Sequence, residues 1–276
     1  MGEEIVNVAV MPDVLDSIRQ ILHSHTVAFA DVGEPERGRM PCLIGSGTLV
    51  RVGQRRAILT AYHVLTALPE TGRLCLVLEK TREPHTLDRA GVAFLKIAHG
   101  VGDESIGPDL GALLLAEPLG GALEMKKSFY NLDKRKDLAL HNPPDMDVGA
   151  WAVQGFLHER TVLTLDADGR GSTTGFYNFT AFGRPHLPFK LAEHDCFDLR
   201  GDEREDLPRG WGGMSGGGLW QVPLRRDGKA IVPAECLFSG VAFYQHPTTD
   251  TLYGIRCHGR RSVFQVAYDA LRGGHA

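Results

Sequence analysis

The stretch Gly210–Gly218, GWGGMSGGG, places one serine hydroxyl among six glycines. Glycine permits backbone conformations that a β-carbon forbids and lets other groups approach the main chain closely. Such a cluster is therefore typical of a tight turn at a functional site. A flexible linker would be richer in polar residues, whereas this stretch contains Trp211 and Met214 and leads into the apolar Leu219–Trp220. We therefore interpret it as a shaped loop that presents Ser215.

Composition narrows the class of protein. The chain has 276 residues, of which 43% are hydrophobic, and this is enough to fill a substantial core. A formal net charge of −4 gives no broad basic surface, so neither nucleic acid nor an anionic membrane is expected as a partner. The sequence lacks an apolar run of about 18 residues and begins with the acidic MGEE, so we expect a soluble cytoplasmic protein.

The five cysteines indicate a reducing compartment. They are odd in number, widely scattered and never in C-x-x-C spacing. This pattern disfavours both a disulfide framework and a zinc ribbon, and it favours reduced thiols in a cytoplasm.

Hydrophobic periodicity predicts a mostly β protein with a helix at each end. Apolar residues recur at helical spacing in 13–24 and again in the C-terminal SVFQVAYDALR. Between them lie two sets of short β-rich runs, which suggest paired barrels or sandwiches with a cleft between them. The predicted divisions are a helical extension 1–24, a first barrel 25–125, a crossover 126–148, a second barrel 149–260 and a C-terminal helix 261–276.

A serine nucleophile needs a base, a group that orients the base, and donors for the developing oxyanion. His63 ends the run ILTAYH, which follows the glycine-bracketed GSGTLV of Gly45–Val50, and Asp109 precedes the apolar run LGALLL. Other histidines lack the T-A-x-H frame, namely His85, His99, His194 and His246.

Taken together, GSGTLV with ILTAYHV, DLGALLL and GGMSGGGL resemble the three signature blocks of trypsin-like serine peptidases of the chymotrypsin fold. The order His, Asp, Ser, with separations of 46 and 106 residues, is also that of the family. The resemblance covers roughly residues 25–272. It implies an all-β fold of two six-stranded antiparallel β-barrels packed face to face, with the active site between them.

The same resemblance implies a role for each site residue. Ser215 would be the nucleophile, His63 the general base and then acid, and Asp109 the residue that fixes the imidazole. The backbone N–H groups of Gly213 and Ser215 would bind the oxyanion. The expected substrate is a protein or peptide, with no cofactor and no metal, and a regulatory partner is possible.

Two departures from the extracellular members concern activation. Met214 stands where those enzymes have an aspartate that pairs with the N-terminus freed by zymogen cleavage. Val64 stands where they have a cysteine whose disulfide lies beside the catalytic histidine. The sequence therefore resembles the bacterial and intracellular type, which lacks the zymogen aspartate.

Substrate preference leaves alternatives open. Arg209 lies six residues before Ser215, at the pocket base where trypsin has an aspartate, so cleavage after Lys or Arg is not expected. If Arg209 points into the pocket, acidic side chains are favoured; if it faces solvent, the pocket is neutral. Phe243, Tyr244 and Gln245 resemble the strand that pairs with substrate, but the two aromatics could equally be core and rim residues.

A serine endopeptidase is the function expected from these blocks. The alternative is a catalytically silent peptidase-fold module that binds peptides or partners, which the complete set of His63, Asp109 and Ser215 disfavours. A more distant interpretation is an esterase, because G-x-S-x-G also marks the α/β-hydrolase elbow. In that fold the histidine follows the serine among alternating β and α segments, whereas the surroundings of Ser215 are β-rich.

Overall fold

The computed structural model describes residues 12–31, 33, 41–70, 73–78, 85–100, 107–165, 172–186, 188–202, 208, 210–246 and 252–273. Strands dominate these residues, which confirms the all-β prediction. Within these ranges no helix has both the length and the apolar character that a membrane span requires.

The helices are α1 (Pro12–Ser24), α2 (Tyr62–Thr66), α3 (Glu117–Glu124), α4 (Leu132–His141) and α5 (Tyr268–Gly273), with 3-10 turns at Arg89–Gly91 and His158–Arg160 and a π-helical segment at Ser262–Ala267. The strands of the N-terminal half are β1 (Thr26–Asp31), β2 (Cys42–Val52), β3 (Arg55–Thr60), β4 (Arg73–Val77), β5 (His85–Asp88), β6 (Val92–His99), β7 (Asp109–Leu115) and β8 (Tyr130–Asn131). Those of the C-terminal half are β9 (Ala150–Phe156), β10 (Val162–Leu165), β11 (Ser172–Gly175), β12 (Asn178–Pro185), β13 (Phe189–Leu191), β14 (His194–Asp202), β15 (Gly218–Val222), β16 (Leu224–Asp227), β17 (Ala230–Pro233), β18 (Leu237–Gln245) and β19 (Leu252–His258).

The first sheet is a half-barrel. Its strand order is β5-β4-β1-β2-β3-β7-β6, with every neighbouring pair antiparallel and β8 added parallel to β2. Among the described strands no pairing joins the edge strands β5 and β6. Strand β2 lies at the centre of this sheet, so its residues are well placed to contact the other half of the molecule.

The second sheet closes into a barrel of six strands, as the resemblance to the peptidase fold implies for this half. The ring runs β12-β9-β15-β18-β19-β14 and back to β12, and β13 pairs with β14 outside the ring. Strand β12 makes the closure, because it pairs with β9 along Asn178–Gly183 and then with β14 through Arg184 and Pro185.

The terminal helices occur where periodicity predicts them. Helix α1 buries Val14, Ile18 and Leu22 in a core that also contains Trp220 and Phe264, so it packs where the two sheets meet. The C-terminal helix begins as a π-helical segment and continues as α5.

Two helices between the sheets are not predicted by the sequence analysis: α3 falls in the predicted first barrel 25–125, and α4 falls in the predicted crossover 126–148. Helix α4 begins after Asn131, whose side-chain oxygen accepts a hydrogen bond from the Lys134 N–H at 3.1 Å. Its buried residues are Leu132 and Ala139, too few to produce a clear apolar stripe. The domain boundaries given above stay predictions.

The cysteine thiols differ in burial, and this difference can be tested. All five cysteines are free; Cys42 is exposed, whereas Cys75, Cys196, Cys236 and Cys257 are buried. Burial raises the pKa of Cys75 and of Cys196 to about 12, and of Cys236 to about 11. We expect brief iodoacetamide treatment of the folded protein to alkylate Cys42 alone, because alkylation requires an accessible thiolate.

Peptide mapping by mass spectrometry measures this outcome. The Cys42→Ser variant should take up no label when folded, and all remaining thiols should react in urea. Rapid alkylation of a buried cysteine in the folded protein would contradict the packing described here.

Candidate active site

His63 and Asp109 are brought together by neighbouring strands. His63 is the second residue of α2, directly after β3, and Asp109 is the first residue of β7, which pairs with β3. The His63 backbone N–H donates to Asp109 Oδ1 at 3.0 Å, and His63 Nδ1 hydrogen-bonds Asp109 Oδ2. Because a carboxylate only accepts, the proton of this hydrogen bond belongs to Nδ1, so that Nε2 is the acceptor of the ring whenever the ring is neutral.

Exposure differs sharply within the pair. The Asp109 side chain is 7% exposed and that of His63 is 49% exposed. A buried carboxylate therefore orients an imidazole that remains open to an incoming molecule.

A second histidine lies behind the aspartate. The Asp109 backbone N–H donates to His258 Nε2 at 3.0 Å, and the His258 side chain is completely buried. Its ring packs 4.5 Å from that of Phe243, centroid to centroid. Burial lowers the pKa of His258 from 6.5 to about 3; His194 lowers it further, and Asp109 opposes both. His258 is thus a neutral acceptor that fixes the backbone of Asp109.

The loop that carries Ser215 is tied to both sheets through its backbone. The Ser46 N–H in β2 donates to the Ser215 carbonyl at 2.7 Å. On the other side, the Gly216 N–H donates to the Ala242 carbonyl at 2.7 Å, and the Ala242 N–H donates to the Gly217 carbonyl at 2.8 Å. Ser215 itself is half-buried, at the junction of the two sheets.

The close approach at Gly45 shows that Ser215 and the His63 turn share one location. A β-carbon at Gly45 would lie 2.6 Å from the Val64 side chain and 3.2 Å from the Ser215 carbonyl oxygen. The residue after His63 and the backbone of Ser215 therefore meet across a position that only glycine fits. Within the described part of the chain, no hydrogen bond joins Ser215 Oγ to His63 Nε2.

Gly213 adopts a left-handed conformation that its surroundings enforce. Its φ is +90°, and a β-carbon there would lie 2.3 Å from Leu43 Cδ2 and 2.9 Å from the Phe156 carbonyl oxygen. The Gly213 carbonyl accepts a hydrogen bond from Ser46 Oγ at 2.7 Å. The preceding carbonyl, that of Gly212, accepts from the His158 N–H at 2.9 Å.

These anchored carbonyls also determine where two amides point. In a trans peptide the C=O and the following N–H point in opposite directions. The Gly213 N–H therefore points away from His158, and the Ser215 N–H points away from Gly217, whose N–H binds the Met214 carbonyl at 2.9 Å. Among the described residues, neither amide donates to a protein acceptor.

The residues predicted to bind substrate have different environments. Phe243 is 5% exposed and packs in the core, at a register shift between Ala242 and Tyr244. Tyr244 and Gln245 are half-buried, and Gln245 Oε1 accepts from the Trp211 N–H at 3.3 Å. Arg209 lies outside the described residues, so its direction stays a prediction.

Three contributors to this site are not predicted by sequence reasoning. Ser46 is visible within the GSG of the β2 motif, yet nothing in that motif distinguishes it from a structural serine. His158 acts through its backbone N–H, which no sequence pattern reports. His258 has no role in the sequence prediction, because a lone histidine in a strand gives no signal of its partner.

Comparisons with known proteins do not identify a family. No protein-family model matches the sequence, and no curated protein is a significant match. Among solved structures, one similar chain comes from work on how aromatic interactions drive the coupled folding and binding of the intrinsically disordered Sesbania mosaic virus VPg protein. It has 11% sequence identity and a TM-score of 0.44, over 88% of this chain and 90% of that chain. A likeness at this level establishes neither a family nor an activity.

Gly216 offers a test of how tightly the serine loop is held. Its φ is +86°, and a β-carbon would lie 2.0 Å from the Ser46 carbonyl oxygen and 2.1 Å from Thr60 Oγ1. We expect Gly216→Ala to lower the free energy of unfolding by about 3 kcal/mol or more, since both conformation and space oppose the methyl group.

Gly53→Ala is the matched control, because Gly53 has φ +57° and a β-carbon there would meet no other described group within 4 Å. It should cost only about 1–2 kcal/mol, the conformational part of the penalty. Urea denaturation followed by circular dichroism measures both, and equal losses in the two variants would contradict the tight packing at Gly216.

Stability should fall with acid because of His258. Its folded-state pKa, about 3, lies below the unfolded value of 6.5, so the unfolded chain binds more protons between these limits. The contribution is fully present above pH 6.5 and is lost as the pH falls toward 3. His258→Gln keeps an acceptor but cannot titrate, so its unfolding free energy should depend less on pH, by up to about 1.4 kcal/mol per unit between about pH 6 and 4.

Urea denaturation at a series of pH values provides the measurement. His141→Gln is the control, because the His141 side chain is 70% exposed. An unchanged pH dependence in His258→Gln would show that His258 does not contribute in this way.

Proposed function

We propose that the protein is a serine endopeptidase that forms an acyl-enzyme on Ser215. The observation that carries the proposal is the pairing of a buried Asp109 carboxylate with both the backbone N–H and Nδ1 of a half-exposed His63. This arrangement leaves Nε2 as an acceptor on the accessible side of the ring. A base oriented in this way, beside a glycine-rich serine loop, is what serine acyl transfer requires.

The proposed reaction has two stages. Ser215 Oγ attacks the peptide carbonyl carbon, and its proton passes to His63 Nε2 while Asp109 stabilises the imidazolium. The tetrahedral intermediate collapses as the C–N bond breaks, and His63 gives the proton to the leaving amine. Water then attacks the acyl-enzyme with His63 again as base, and this releases the carboxylic acid and restores Ser215.

The amides of Gly213 and Ser215 would stabilise the oxyanion. Their availability supports this role, because the carbonyl preceding each one is bound from the opposite direction and neither amide has an acceptor among the described residues. Donors fixed before the reaction act on charge that develops only in the transition state.

The edge of β18 supports a peptide as the substrate. The backbone of Ala242 hydrogen-bonds to Gly216 and Gly217 of the serine loop. Beyond it, Tyr244 pairs with β19 on one side, whereas the described pairing of β18 with β15 ends at Val241. An extended peptide could therefore add to this edge beside the serine loop. The Gln245 side chain, which accepts a hydrogen bond from the Trp211 N–H, ties this edge to the loop.

A catalytically silent binding module is the competing function. One observation favours it, namely that Ser215 Oγ and His63 Nε2 form no hydrogen bond in the described part of the chain. In unliganded hydrolases this contact is often long and tightens only when substrate binds, so the observation does not outweigh the pairing of His63 with Asp109.

A fluorophosphonate probe distinguishes the two functions. We expect it to label the folded protein at Ser215, as located by mass spectrometry, and Ser215→Ala to remain unlabelled. His63→Ala should slow labelling by about 100-fold to 10,000-fold, the contribution of a general base.

Two matched controls keep this test specific. Ser128→Ala and His141→Ala replace exposed residues of the same types and should label like the wild type. If the folded wild type takes no label and cleaves no member of a quenched-fluorescence peptide library, the peptidase proposal is wrong and the binding module is favoured.

A further inference from the structure

Ser46 contacts both residues whose amides would form the oxyanion hole. Its hydroxyl donates to the Gly213 carbonyl at 2.7 Å, and its backbone N–H donates to the Ser215 carbonyl at 2.7 Å. These two contacts come from one fully buried residue on a strand of the first sheet, whereas the loop leads into a strand of the second.

The Ser46 hydroxyl is itself held in place. It accepts a hydrogen bond from the Phe156 N–H at 2.8 Å, so its own hydrogen is directed to the Gly213 carbonyl. The Ser46 carbonyl accepts from Thr60 Oγ1 at 2.7 Å, which fixes its backbone to the strand that ends three residues before His63. All these groups are enclosed by protein, where an unmade hydrogen bond is costly.

The contact matters because Gly213 has no side chain to limit its conformation. Its φ of +90° is one of several values open to glycine, and rotation of its flanking peptides would redirect the amide. The His158 N–H holds the peptide before Gly213 by its carbonyl, and Ser46 Oγ holds the peptide after it. The amide of Gly213 is thus fixed from both sides.

We infer that Ser46 is a positioning residue for the oxyanion hole, whose hydroxyl fixes the Gly213 amide in the direction that catalysis requires. This inference rests on the proposed peptidase function for its catalytic part. It assigns to the Ser46 side chain a role that the three proposed catalytic residues do not have, namely to fix the direction of the Gly213 amide.

Ser46→Ala tests the inference, because it removes the hydroxyl and leaves the backbone N–H to Ser215 intact. With a fluorophosphonate probe at saturating concentrations, we expect the maximal rate of inactivation, kinact, to fall by about 10-fold to 100-fold. The half-saturating concentration, KI, should change by less than about threefold, since the hydroxyl does not contact the probe.

Ser239→Ala is the matched control. Ser239 is also fully buried, and its hydroxyl donates to the Leu237 carbonyl at 3.1 Å and accepts from Arg260 Nε at 3.2 Å. The free energy of unfolding of Ser239→Ala, measured in urea, should fall by about as much as that of Ser46→Ala. Its kinact should stay at the wild-type value. An unchanged kinact in Ser46→Ala, or an equal fall in Ser239→Ala, would overturn the inference.

A measurement without activity separates this inference from the proposed function. In 15N-1H NMR spectra, the amide signals of Gly213 and Ser215 should shift or broaden in Ser46→Ala and stay in place in Ser239→Ala. If they do so while the wild type takes no label and cleaves no peptide of the library, the peptidase proposal fails and the positioning contact stands. Unchanged amide signals in Ser46→Ala would overturn the contact whatever the activity.

Ser46→Cys covers the case in which Ser46→Ala does not fold. The thiol retains the shape of the side chain but donates weakly, so kinact should lie below that of the wild type and the two amide signals should again move. Wild-type values of both quantities in Ser46→Cys would count against the inference.

Discussion

A loop with six glycines in nine residues has little conformational preference of its own, so its shape is held by hydrogen bonds within the loop, such as that from Gly217 to Met214, and by hydrogen bonds to the surrounding strands. Those bonds come from both sheets: Ser46 on one side, and Ala242 with the His158 N–H on the other. The loop therefore keeps its conformation only while the two sheets stay in contact. Because Ser46 accepts from Phe156 as well, the same hydroxyl joins the sheets and shapes the loop.

The remaining part of the site, Asp109 and the two histidines that it contacts, is held in place by hydrogen bonds and charge. The Asp109 carboxylate hydrogen-bonds the His63 ring, and the Asp109 backbone N–H donates to the His258 ring. Asp109 therefore lies between two imidazoles that differ in exposure to solvent. His63 is half-exposed, whereas burial keeps His258 neutral. A protonated histidine behind Asp109 would attract the carboxylate and weaken its hold on His63; the apolar packing against Phe243 opposes that protonation.

The sequence predicts local features of the fold well and long-range contacts poorly. Periodicity locates the terminal helices, and an acid before an apolar run places Asp109 at the start of β7, because these signals lie within a few residues. Helix α4 escapes prediction since it buries little, and the half-barrel form of the first sheet depends on which strands fail to meet. The roles of Ser46 and His258 depend on partners 167 and 149 residues away, which no local pattern encodes.

The 167-residue separation between Ser46 and Gly213 has a consequence for the order of assembly. A contact so distant in sequence carries a larger loop-closure cost than the local strand pairings of each half, so we expect it to form after them. A nascent chain that has produced only the first sheet already holds His63 and Asp109, but it lacks the serine and the strands that shape its loop. On the proposed function, the site is therefore complete only after the second barrel has formed, and a chain that has produced only the first sheet has no nucleophile with which to attack itself or its neighbours.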